Sequence, residues 1–298
     1  MESIFFSVII PSYNQASLLE KAVKSVLNQS FKNFEIIIVD NYSDDETQKI
    51  VESFQSKKII YKKIENHGVI ARSRNLGIKI SSGKWLAFLD SDDSWYKEKL
   101  QIVSDFLQGN DSYDVICTDE LIINEILNKK KIWKYGPYIS SFYKRLLQKG
   151  NCLSTSASLV KKEFLLNQKI LFNEKKDFIT AEDYDFFMNL AFKNAKFKFL
   201  HHVLGEHLFY ESSQSSNYVK HKAAVMSVVK HHVFNVQDFT EKREKMWNSL
   251  RVNFYFMDLI YFLKYKKKYT KGLLVFLKMF LSFPIKSLNF MFFKMKKG

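Results

Sequence analysis

The feature that most constrains this 298-residue chain is a repeated change of period over its first 120 residues. Short β-branched runs alternate with segments whose apolar residues recur at helical spacing. Residues 6–10 (FSVII) read as a buried strand that stops at Pro11. Residues 16–27 then place Leu18, Leu19, Ala22, Val23, Val26 and Leu27 on one helical face. Residues 34–39 (FEIIIV) form a second strand ending in Asp40. A helix to about residue 55 and a short strand at 59–62 follow. After the turn Asn66-His67-Gly68 comes a basic helix that stops near 81–83. A strand at 85–89, a helix over 95–107 and a strand at 114–118 complete the series. Such alternation predicts an α/β architecture: a mostly parallel sheet with helices on both faces. Ligands bind such sheets beyond the carboxyl ends of the strands. Pro11, Tyr13 and Asn14, then Asp40, then Asp90, Ser91, Asp92 and Asp93 all follow strands, so they collect on one edge.

The run at 85–89 ends in three carboxylates, which are costly beside a buried strand unless something positive is near. A divalent cation with oxygen ligands is the usual companion. The plainer alternative is an acidic turn that caps the next helix.

The second half is less regular. Residues 121–134 suggest a hairpin, 142–148 a short helix, and 151–160 a Ser/Thr-rich stretch that turns strand-like. Thr180-Ala181-Glu182-Asp183-Tyr184-Asp185 leads into an apolar helix, 197–200 is a strand, and 211–217 is a polar loop.

The net charge of +15 is uneven: from Thr240 onward there are 14 Lys and Arg against 3 Asp and Glu. That tail calls for an anionic partner. Its Phe-rich, apolar character lacks a polar groove with spaced aromatics, which argues against nucleic acid. Residues 273–283 are almost wholly apolar but are interrupted by Lys278 and followed by Pro284. This is too short to span a bilayer and suits a helix lying in the membrane interface, or else one packed on the core. Cys117 and Cys152 match no metal-ligand spacing, and no charged start precedes an apolar leader, so a reducing cytoplasmic setting is expected.

Four blocks carry a resemblance. They are Ser7-Val8-Ile9-Ile10-Pro11-Ser12-Tyr13-Asn14, Phe34-Glu35-Ile36-Ile37-Ile38-Val39-Asp40, Arg72-Ser73-Arg74-Asn75-Leu76-Gly77 and Phe88-Leu89-Asp90-Ser91-Asp92-Asp93. In this order and at these intervals the chain resembles the family 2 glycosyltransferases of the GT-A fold that assemble bacterial cell-surface glycans. The resemblance covers roughly residues 3–217 and is best in the first 120. It implies a GT-A domain over 1–218, with a nucleotide-binding half (1–120) and an acceptor half (121–218). Residues 219–298 would be a helical, basic, membrane-associating region. The implied activity is inverting, metal-dependent transfer from a nucleotide-diphospho-sugar, a UDP-sugar, to a glycan hydroxyl. The acceptor would be a lipid-linked oligosaccharide, O-antigen, capsule or lipo-oligosaccharide at the cytoplasmic face of the inner membrane.

The resemblance also assigns roles. Asp92, with Asp90, would hold Mn²⁺ or Mg²⁺ bridging the diphosphate. Asp90 and Ser91 would lie by the ribose, and Asp93 would support them. Asp40 would accept a hydrogen bond from a pyrimidine base, or simply cap the next helix. Pro11, Tyr13 and Asn14 would cup the nucleoside, although Tyr13 could be a packing aromatic, and Gly68 would allow close backbone approach. Arg72 and Arg74 sit two positions apart on a helix and point in different directions. Arg72, nearer the helix start, is the one expected to meet phosphate. Asp183 matches the family's catalytic base and Glu182 its supporting acid. The bland alternative for both is acids favoured by a helix dipole. His207, Ser213 and Ser215 would close over the diphosphate, but Glu211 and serines stand where relatives carry a basic residue. Asp185 and the pairs His201-His202 and His231-His232 read as structural. A non-catalytic scaffold of the same fold is the alternative function.

Overall fold

The computed structural model describes residues 3–211, 217–284 and 287–288. The β-branched runs form β1 (Phe6–Ser12), β2 (Phe34–Asp40) and β3 (Ile59–Lys63). Every residue of β1 and β2 is buried, so these strands show no polar alternation. β4 (Trp85–Phe88) pairs parallel to β1 on the side away from β2, giving the all-parallel order β3-β2-β1-β4. Beyond β4 the sheet becomes mixed. β8 (Ser158–Lys161) runs antiparallel to both β4 and β6 (Val115–Asn124). β9 (Phe197–Phe209) is parallel to β6, and β5 (Ser94–Trp95) pairs antiparallel with β9. β7 (Lys129–Trp133) flanks β6 as the return strand of a hairpin. Through β8, the strands β6 and β9 therefore run in the same direction as β1 and β4.

Helices cover both faces. Val8, Ile10, Ile36 and Ile38 share a core with Leu19, Ala22, Val23 and Val26 of α1 (Ala16–Leu27). On the opposite face Ile9 meets Gly77 of α3 (Ile70–Ile80), where an added Cβ would lie 2.4 Å from Ile9 Cγ2. That closeness brings α3 down onto the strands whose ends hold the acidic block. The remaining helices of this unit are α2 (Thr47–Ser53), α4 (Lys99–Leu107), α5 (Phe142–Lys149), α6 (Lys162–Gln168) and α7 (Glu182–Phe192).

Three elements depart from the sequence expectation. The helix read from residue 95 starts at Lys99, because Ser94 and Trp95 pair with Glu206 and Gly205 instead. The strand expected to stop at Asp119 continues to Asn124. Asp119 is buried but satisfied, accepting the Tyr135 N–H at 3.0 Å, so its charge does not end the strand. The strand expected over 197–200 runs on to Phe209, with register shifts around Asp119 letting it stay paired past His201-His202.

The chain divides into two compact units, residues 1–225 and 226–298, and α8 (Tyr218–His231) crosses the division. In the second unit a π-helical turn (His232–Val236) precedes α9 (Arg243–Ile260). A second such turn (Tyr261–Tyr265) precedes α10 (Tyr269–Ser282). α10 exposes Leu273, Leu274, Leu277 and Leu281 at helical spacing. Among the described residues, no helix is long and apolar enough to cross a membrane.

Candidate active site

The site is built around one buried guanidinium. Arg74 of α3 donates from Nη2 to Asp90 Oδ1 at 2.6 Å and from Nη1 to Glu182 Oε1 at 2.7 Å. Asp90 follows β4, and Glu182 opens α7. The arginine thus joins acidic blocks 92 residues apart in sequence, with Phe172 beneath it at 5.2 Å. Burial disfavours its charge, but the two carboxylates more than offset this and hold it firmly protonated. Arg72, the arginine expected from the sequence to face phosphate, instead pairs with Glu174 at 3.3 Å near the surface. The reason is helical geometry: two positions turn a side chain about 200° around the axis, and Gly77 seats the Arg74 face, not the Arg72 face, toward the sheet.

The three carboxylates after β4 have separate environments. Asp93 is buried and accepts from Ser156 Oγ, from the Leu208 N–H at 3.0 Å and from His207 Nδ1 at 3.0 Å. It caps no helix. His207 is therefore a β9 residue held against Asp93, and not part of a mobile loop. Burial works against its charge, yet Asp93 lifts its pKa to about 10. Asp90 has one oxygen committed to Arg74, and its N–H donates to Ser156 Oγ at 3.1 Å. Asp92 is only partly buried and has no lysine or arginine paired with it among the described residues. Burial, then the Asp93 and Asp90 charges, push its pKa up to about 7.

Asp183 lies beside Glu182 in the first turn of α7. Its Oδ2 accepts from Asn151 Nδ2 at 3.2 Å, and the side chain remains partly open. Burial and the neighbouring Glu182 raise its pKa to about 7 against the opposing pull of Arg74. Glu182, by contrast, is locked: its second oxygen accepts the Thr180 N–H at 2.9 Å. Asp185 is fully buried and accepts from Asn189.

On the β1–β2 side, the loops after the strands are tied together. Asn14 donates its N–H to Ser43 Oγ and accepts the Asp44 N–H, at 2.9 and 3.0 Å. Pro11 is buried within β1, whereas Tyr13 is exposed, as is Tyr42 on the neighbouring loop. Asp40 is fully buried, accepting from the Tyr61 hydroxyl at 2.7 Å and from the Ser43 N–H and Oγ. A carboxylate has about four acceptor positions, so little capacity remains for a base. Gly68 has φ +76° and open space where a Cβ would stand, and its N–H is bound by Asn66. Ser91 Oγ donates to Gln15, whose Nε2 donates to the Tyr210 hydroxyl at 2.7 Å; Tyr210 also hydrogen-bonds Asp92. Ser213 and Ser215 lie outside the described residues.

Sequence reasoning missed Gln15, Tyr210, Ser156 and Lys99. Lys99 is buried, donating to Ser156 O at 2.9 Å and to Thr118 Oγ1 at 3.2 Å; burial lowers its pKa to about 8. No local pattern marks these residues. Only the Ser/Thr-rich stretch around Ser156 gave a signal.

Three comparisons bear on the family and the fold. The sequence profile described as "Glycosyl transferase family 2" matches residues 7–169. An uncharacterized glycosyltransferase of Rickettsia conorii is 40% identical over 141 residues, covering 47% of this chain but only 22% of that protein. The Escherichia coli UDP-Glc:alpha-D-GlcNAc-diphosphoundecaprenol beta-1,3-glucosyltransferase WfgD is 31% identical over 195 residues, covering 65% of this chain and 72% of its own. Among solved structures, Staphylococcus aureus TarS 1–349 in complex with UDP-GlcNAc superposes with a TM-score of 0.69 at 23% identity. The match covers 93% of this chain and 81% of TarS 1–349. At that identity the likeness is one of fold.

Proposed function

The chain belongs to glycosyltransferase family 2, and from that premise we propose that it transfers a sugar from a UDP-sugar to a hydroxyl of a lipid-linked glycan, with inversion. The observation that carries the proposal is the Arg74 bridge. By gripping Asp90 and Glu182 together, it sets the acidic block of the donor side against the acidic pair of the acceptor side.

In this reading residues 1–120 bind the nucleotide and 121–218 the acceptor. Tyr13 and Tyr42 flank the base, with Pro11 and Asn14 shaping the loop. Asp40 orders residues 41–44 through Ser43 and offers a base at most one remaining acceptor position. Asp90 and Ser91 border the ribose, and Gly68 permits backbone approach. The paired Arg72 would reach phosphate only by leaving Glu174, so the positive charge nearest the carboxylates is Arg74.

A divalent cation fits the site. Asp92 supplies an oxygen ligand without a cationic partner, and Asp90 keeps one oxygen free. No set of three His, Cys, Asp or Glu side chains forms a complete site among the described residues. Diphosphate oxygens of the donor would complete the shell, as is usual for Mg²⁺ and Mn²⁺. When bound, the cation neutralises charge on the departing diphosphate.

Asp183 acts as general base. It takes the acceptor hydroxyl proton as that oxygen bonds to the anomeric carbon. The bond from that carbon to the phosphate oxygen breaks on the opposite face, its electron pair leaving with UDP. Glu182 is a positioning residue, anchored to Arg74 and Thr180. His207 steadies Asp93 beneath the diphosphate, with Ser213 and Ser215 as candidates to cover it.

The leucine stripe of α10 and the lysines around it support residence at an anionic membrane surface, the cytoplasmic face being the expected one. WfgD is named for a diphosphoundecaprenol-linked acceptor, which supports a lipid-linked acceptor here. Thermal shift with a panel of UDP-sugars, with and without Mn²⁺, tests the donor. Metal-dependent stabilisation is expected. No stabilisation and no slow donor hydrolysis across the panel would overturn the reading.

A further inference from the structure

The hairpin of β6 and β7 presents a surface that the transfer reaction leaves unused. Among the described residues β7 is paired on one side only, and all five of its residues are exposed. The turn at 125–128 holds Ile126 and Leu127 with 53% and 55% of their surfaces open. The turn is ordered: the Leu127 N–H binds Asn124 Oδ1 at 2.8 Å, and the Glu125 N–H binds Phe209 O at 2.9 Å. Ile132 and Trp133 on β7 are also about half exposed, with Lys131 over the Trp133 ring at 5.3 Å. Lys129 and Lys131 share a strand face with Trp133, Lys130 shares the other with Ile132, Lys134 follows, and Glu125 is the one acid between 125 and 134.

Topology places the hairpin at the site. β6 runs in the same direction as β1 and β4, so its turn projects beyond the sheet edge that carries Asp90 to Asp93. Ile122 of β6 is the register partner of His207, which touches Asp93.

Charge and apolarity together select the occupant. A second copy pairing along the open β7 edge would set lysine row against lysine row, a common device against strand addition. Nucleic acid would suit the lysines but leave the aliphatic tip exposed or poorly used. An anionic bilayer satisfies both, with headgroups for the lysines and the acyl boundary for the tip. We propose that the β6–β7 hairpin is a membrane-contacting surface, its lysines on anionic headgroups and Ile126 and Leu127 inserted at the headgroup–acyl boundary. This contact belongs to the first unit, is separate from the C-terminal helices, and does not depend on which sugar is moved.

The test uses the full chain and co-sedimentation with phosphatidylcholine vesicles, with or without about a third phosphatidylglycerol. Each lysine near such a surface contributes roughly fivefold in affinity. Replacing Lys129, Lys130 and Lys131 together by Gln should therefore weaken binding to anionic vesicles roughly a hundredfold. Replacing the same three by Arg should preserve binding. Ile126→Ser with Leu127→Ser should lower the part of the binding that survives raised salt, leaving the share carried by the α10 leucines. UDP-sugar thermal shifts should be unchanged in every variant, so failure here stays distinct from failure of the transferase reading. Unchanged vesicle binding by the Gln variant would overturn the proposal. So would a wild-type dimer dissolved by that variant, or RNA binding as tight as vesicle binding and indifferent to the serine substitutions.

Discussion

Arg74 shows how much one residue can organise. It is buried, holds two carboxylates and leaves its Nε without a hydrogen-bond partner. Arg74→Met would leave Glu182 as a buried charge and Asp90 as a partly buried one without their cation, so a loss of about 3 kcal/mol is expected in chemical denaturation. Arg74→Lys should recover only part, because an ammonium cannot fork to both acids. Asp183 makes a second prediction, with two opposite pH trends. Its pKa in the fold is about 7, above the unfolded carboxyl value of about 3.9. Its contribution to stability is therefore complete below the unfolded value and is lost as pH rises through about 7. A general base must be ionised, so kcat should climb over the same interval. Asp183→Asn should melt higher than wild type at pH 8 and lose about 10²–10⁴-fold in kcat, while binding UDP-sugar as before. A variant that kept its rate would remove Asp183 as the base. The family resemblance singled out Asp92 in the block after β4 and Asp183 in the acidic pair that opens α7. Sequence reasoning favoured Arg72 over Arg74 from position in the helix alone, whereas the orientation of α3 depends on the sheet it packs against.

At the scale of elements, the seating of α3 on β1 decides which arginine enters the site. Gly77→Ala would press a methyl within 2.4 Å of Ile9 Cγ2, and overpacking of this kind costs about 1–3 kcal/mol. In combination with Ile9→Ala, which removes the clashing Cγ2, the loss of stability and of UDP-sugar binding should be smaller than the two single losses summed, as measured by a double-mutant cycle. Purely additive losses would show that the contact does not govern α3. The parallel order β3-β2-β1-β4 was legible because β-branched runs alternate with amphipathic helices. The long pairing of β6 with β9 was not. The middle of these strands carries Asp119, Glu120, His201 and His202, residues that look like loop in isolation. Tyr135 donates to Asp119 from its N–H and to Glu120 Oε2 from its hydroxyl, which lets these acids sit in the sheet. His207 consequently changed from a loop residue to a strand residue.

At the scale of the molecule, the basic tail and the catalytic unit make separable predictions. Removing residues after Asn235 should reduce co-sedimentation with anionic vesicles and leave UDP-sugar thermal shifts in place. Loss of cooperative unfolding in that variant would show instead that the tail completes the core. The leucines of α10 and the apolar tip of the β6–β7 hairpin each expose aliphatic surface beside lysines, the combination that an interface rewards and bulk water does not. By itself the sequence determined the α/β class, the family, the strand-end location of the acidic block and the charge asymmetry. All of these follow from period, composition and order along the chain. Tertiary structure alone decided which arginine is buried, which carboxylates are already neutralised and which of them remain without a cation. Those outcomes depend on groups from distant segments sharing a space with little water, where each charge's state is set by the neighbours the fold supplies.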